Sequence, residues 1–95
     1  MQCAQYITKI TFMQYQDKKI LKALGKKLKK IRENKKISLN SFAFENGITS
    51  ATLSRIENGI VDPKFITLVK ITTALEVPLD QILKELNFKY DLNKE

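Results

Sequence analysis

The sequence predicts an all-α fold of five helices, with a short β-prone arm ahead of them. Two observations carry the helices. Apolar residues recur every three to four positions between residues 17 and 86, the spacing that puts side chains on one helix face. Start and stop residues sit where those runs begin and end: Asp17, Ser38, Thr49, Asp62 and Pro78 ahead of them, Gly47 and Gly59 behind. A third observation carries the arm. Tyr6, Ile7, Thr8, Ile10, Thr11 and Phe12 are β-branched or aromatic and alternate as in a strand.

The arm, residues 1–16, is β-prone or disordered. A lone strand has no ladder partner, so if ordered it pairs with a second copy, a partner protein or the chain's own tail. Met13 is an alternative start that would remove the arm altogether. The domain proper is expected over residues 17–86, followed by a polar tail, 87–95.

Helix 1 is expected from Asp17 to about Asn34, with Ile20, Leu24, Leu28 and Ile31 as its buried stripe and Leu21 widening it. Helix 2 follows Ser38 and runs to about Asn46, presenting Phe42 and Ala43. Thr49 caps helix 3, Ser50 to Glu57, with Leu53 and Ile56 inward. Gly47 and Gly59 fit positions where the chain takes φ > 0. Asp62 caps helix 4 with Pro63 in its first turn, and Phe65, Leu68, Val69, Ile71 and Leu75 are its core candidates. Helix 5 begins at Pro78 and carries Leu79, Ile82, Leu83 and Leu86 on one side.

Composition narrows the function. Ninety-five residues make one small domain with a modest core. No apolar run approaches the ~20 residues that cross a bilayer, and the N-terminus lacks the apolar centre of a signal peptide. The single cysteine, Cys3, excludes an internal disulfide and suits a cytoplasmic location. With no histidine, no paired carboxylates and no glycine-rich phosphate loop, the chain offers no catalytic constellation, no metal site and no call for a cofactor.

The net charge of +7 is unevenly placed. Residues 18–36 hold ten Lys or Arg and one Glu, a local +9, and the rest of the chain carries −2. Such a run is a solvated helix face, a polyanion-binding surface or a membrane-surface helix. The last is weakened because the helix's apolar stripe is needed for the domain's own core. Crowded like charges cost helix stability, which phosphates would offset.

The stretch LNSFAFENGITSATLSRIENG, residues 39–59, is two short helices joined by a glycine turn, a form common in DNA docking. With GKKLKKIRENKKIS before it, Asp62–Pro63 after it and LVKITTALEVPLDQIL beyond, it resembles the lambda-repressor-like (Xre/Cro-type) helix–turn–helix family over Lys26–Leu83. TLSRIENG and its downstream proline are the specific part; the lysines alone are not. The resemblance implies a five-helix lambda-repressor-like DNA-binding domain whose third helix enters the major groove, with double-stranded DNA as partner.

In that docking mode Thr49, Ser50, Ala51, Thr52, Ser54 and Arg55 face the DNA. Arg55 is the one long donor; it can reach a guanine edge, a phosphate or a carboxylate of its own domain. The serines can meet bases or phosphates, and the Ala51 methyl a thymine methyl. The resemblance assigns backbone contacts to Ser38, Leu39 and Asn58, with Lys64 as a further candidate, and an interhelical ion pair to Arg32 and Glu57. Leu39 departs from the family's usual glutamine, and Ile60-Val61 from its usual basic residues. Asn46 stands where the family prefers an apolar residue.

One short helix reads few base pairs, so a homodimer on a palindromic operator is expected, with Ile82, Leu83, Leu86 and Phe88 as dimer-surface candidates or as packing within the domain. The expectation is therefore a cytoplasmic, non-enzymatic transcription regulator, more a repressor than an activator. The alternatives are an antitoxin or other protein-binding module that uses the N-terminal strand, and a restriction–modification controller.

Overall fold

A computed structural model describes residues 2–92, with side chains from residue 10 onward. Five helices follow in order: α1 (Gln2–Asn34), α2 (Leu39–Glu45), α3 (Ser50–Glu57), α4 (Phe65–Ala74) and α5 (Leu79–Leu86). The five-helix expectation holds, and no strand occurs among the described residues.

The β-prone arm is corrected. Residues from Gln2 onward continue one helix of 33 residues rather than a strand followed by a helix starting at Asp17. Strand propensity is weak where no ladder partner exists. A helix already nucleated extends by one hydrogen bond per residue, and no proline or glycine interrupts residues 1–24. Asp17 is not a cap; its carboxylate lies 2.8 Å from the Tyr90 hydroxyl. The Cys3 thiol and the alternation of Tyr6 and Thr8 with Ile7 and Lys9 lie outside the described side chains.

The core joins Leu24 and Leu28 of α1, Phe42 and Ala43 of α2, Leu53 and Ile56 of α3, and Ile71, Leu75 and Ile82 behind them. Thr72 is the buried polar residue of α4; its hydroxyl lies 3.0 Å from the Leu68 carbonyl and 3.1 Å from that of Val69, so its burial leaves nothing unpaired. Two expectations for α4 are corrected. Lys64, not Asp62, is its N-cap, and no side chain caps it. Phe65 is 67% exposed, because the first turn of α4 projects past the edge of the core.

The helix ends carry the expected chemistry elsewhere. Ser38 Oγ accepts the Ser41 amide at 3.1 Å, and Thr49 Oγ1 accepts the Thr52 amide at 3.1 Å. Gly47 and Gly59 take φ of 67° and 70°. Asn46 donates to the Phe42 carbonyl at 2.7 Å and so ties off the end of α2, a job an apolar side chain could not do.

Candidate nucleic-acid interface

Two contacts set α3 against α1. Arg32 donates to both carboxylate oxygens of Glu57, at 2.7 and 3.0 Å, and through Nη1 to the Ile37 carbonyl at 2.6 Å. Both residues are buried. The bond to Glu57 raises the guanidinium's pKa above its ordinary value, and burial opposes that rise. One side chain thus joins α1, the end of α3 and the connector that leads into α2. The second contact is backbone on backbone. A Cβ on Gly25 would collide with the carbonyl oxygens of Ile56 and Glu57. A glycine inside a helix costs about 1 kcal/mol against alanine, so this close approach explains its presence. Sequence reasoning passed Gly25 over; an isolated glycine amid a helical pattern was the signal.

The outer face of α3 divides by what its polar groups are already doing. Thr49 and Thr52 serve the cap, their hydroxyls 2.8 Å apart. Asn58, the C-cap residue, donates to Ser54 Oγ at 3.3 Å. Ser50 is half-buried, while Ala51 and Arg55 are exposed, and Arg55 forms no ion pair among the described residues. The carboxylate reading of Arg55 therefore has no partner here. What stands open is a helix of small side chains with one long, planar donor.

The remaining positions separate. Ser38 is exposed at the start of α2, and Lys64 is exposed at the start of α4. Leu39 is half-buried and packs on the core, so its side chain serves packing in place of a polar contact. The dimer-surface candidates do not act as one set. Ile82 is 0% exposed and belongs wholly to its own core; Leu86 and Phe88 are half-buried against that core, and Leu83 alone stands open at 42%.

A joint that sequence reasoning did not foresee lies at residues 13–17. The Tyr90 hydroxyl sits 2.9 Å from the Met13 carbonyl and 2.8 Å from the Asp17 carboxylate, so its single proton serves two acceptors. Gln16 accepts the Asp91 amide at 2.7 Å and donates to the Asp91 carbonyl at 2.8 Å. Burial, then the bond to Asp17, push the Tyr90 phenol above its usual pKa. Lys27 also meets Glu85 at 2.8 Å, and this bond, followed by that from Gln81, draws the Glu85 carboxyl below the usual range.

Among the described residues no helix is long and apolar enough to cross a membrane, and no group of three or more metal-ligating side chains comes together. Residues 28–82 match the sequence model of the helix-turn-helix family HTH_3. The chain is 38% identical over 60 residues to the uncharacterized HTH-type transcriptional regulator RghRB of Bacillus subtilis (strain 168), covering 62% of this chain and 43% of that protein. It is 34% identical over 64 residues to the HTH-type transcriptional repressor RghR of the same organism, covering 66% and 47%. The matched stretch is thus under half the length of either relative. The crystal structure of the clp gene regulator ClgR from C. glutamicum superposes with a TM-score of 0.65 at 26% identity, covering 70% of this chain and 85% of that one.

Proposed function

The chain belongs to the helix-turn-helix family HTH_3, and from that premise we propose that it is a sequence-specific DNA-binding transcription regulator. It acts as a homodimer on a palindromic operator and represses by occluding the polymerase. The observation that carries this reading is the exposed face of α3, where Arg55 has no carboxylate partner among the described residues and Ser50, Ala51 and Ser54 are small enough for close approach to a groove floor. Relatives named as a transcriptional regulator and a transcriptional repressor support it. Strand addition by an antitoxin loses its element, since residues from Gln2 to Asn34 are helical.

Fluorescence anisotropy tests the reading, with the DNA upstream of the chain's own gene against a shuffled duplex, for wild type and Arg55→Ala. Tight binding to the native fragment, reduced to the shuffled level by Arg55→Ala, is expected. Equal binding to both duplexes by both proteins would contradict it.

A further inference from the structure

Lys18, Lys22, Gly25, Lys29 and Arg32 recur at spacings of four and three, so one face of α1 carries all five. Contacts show where that face looks. Arg32 binds Glu57, and the Gly25 backbone lies against the carbonyls of Ile56 and Glu57. A turn earlier, a Cβ on Gly59 would come within 2.6 Å of Lys22 Cα. The face therefore runs along the end of α3 and into the loop that follows, beside the exposed Asn58. Asp17 and Asp62, which line a shallow groove with Ile20 and Leu21, bound it at the N-terminal edge.

The lysines of α1 are not equivalent. Lys27 pairs with Glu85, and Lys19 lies over the Tyr15 ring at 5.4 Å and lines the groove under the tail. Lys18, Lys22 and Lys29 are exposed and have no ion-pair partner among the described residues; Lys26 and Lys30 share both properties, and it is their place on other faces of α1 that sets them apart. From residue 18 to 29 the helix rises about 16 Å, enough to follow several phosphates spaced at about 3.4 Å of duplex axis per strand. Unneutralised like charges on one helix face are unfavourable alone, and a polyanion relieves them.

We propose that Lys18, Lys22 and Lys29 form a phosphate track that extends the DNA contact of α3 onto the flanking backbone. It supplies the charge that the loop lacks at Ile60 and Val61. The track rests on the DNA-binding reading above, and it gives that reading a second, sequence-independent surface.

The test is the salt dependence of binding by the full chain to native and shuffled duplexes, for Lys22→Gln/Lys29→Gln and for the charge-matched Lys19→Gln/Lys30→Gln. Lys and Gln are near-equal helix formers, and thermal unfolding checks that both pairs stay folded. The Lys22/Lys29 pair is expected to make the slope of log K against log salt shallower by about 1 to 2, equally on both duplexes, and to keep the native-to-shuffled ratio. The Lys19/Lys30 pair is expected to leave the slope unchanged. Equal loss of slope in both pairs, or loss in neither, overturns the track while wild-type DNA binding stands. A wild type that binds neither duplex overturns the DNA-binding reading itself, and the track with it.

Discussion

Two of the grips on the long helix α1 work in opposite ways. Toward its C-terminal end the grip is dry: Arg32 and Glu57 are both buried, and Gly25 allows backbone to touch backbone. At residues 13–17 the grip is wet, made by Tyr90, Asp91 and Gln16 at exposed or half-buried positions. Both use hydrogen bonds shorter than 3 Å, so distance does not separate them. Burial does. A buried charge that loses its partner cannot turn to water, whereas an exposed hydroxyl can. The dry joint sets where α3 sits, and the wet one steadies the part of α1 that lies beyond the core.

Glu57→Gln breaks the comparison most severely. It leaves the Arg32 charge buried with a neutral partner, and a loss of about 3–5 kcal/mol is expected in urea unfolding. A loss below about 1 kcal/mol would class the pair with exposed ion pairs. Gly25→Ala comes next. Alanine gains about 1 kcal/mol in helix propensity, but its methyl has no room against α3, so a net loss of about 1–3 kcal/mol is expected. Net stabilisation would mean that α1 and α3 part easily.

Tyr90→Phe is the smallest change. The unfolding midpoint should hold, while amides at residues 13–17 exchange faster with solvent. Acceleration at α3 as well would show that the two joints are not separate. The wet joint also responds to pH. Because the Tyr90 phenol is raised from its ordinary 10.0, its contribution is complete below pH 10 and is lost as pH climbs through the higher folded value. Protection of the amides at residues 13–17, taken relative to their hydroxide-catalysed intrinsic exchange, should therefore fall on that alkaline side in wild type, with no such step in Tyr90→Phe.

The local parts of this fold were legible in the sequence. Ser38 and Thr49 cap helices because a short oxygen precedes an apolar run, and Gly47 and Gly59 sit where φ is positive. The Arg32–Glu57 pairing came through the family resemblance, since no local rule links positions 25 apart. The misreadings share a cause. Residues 6–12 look like a strand in isolation, and only the missing ladder partner makes the helix the better choice. Phe65 has a core residue's chemistry but falls on a turn beyond the core. The bond between Tyr90 and Asp17 spans 73 positions and leaves no periodic trace. At the candidate interface, residue types, their helix and the Thr49 cap were readable, while the engagement of the Thr52 hydroxyl with that cap required coordinates.

The dry joint matters for function only if α3, so held, reads bases, and Arg55→Lys tests that most directly. Lysine keeps the charge but loses the planar fork that can grip a guanine edge with two hydrogen bonds. The ratio of native to shuffled affinity should be measured at one salt concentration, with the salt slope beside it. Base readout by Arg55 predicts a ratio reduced by about 1–3 kcal/mol, roughly 5- to 150-fold, with the slope unchanged. A ratio that survives the substitution would make Arg55 a phosphate contact and contradict direct readout by this side chain.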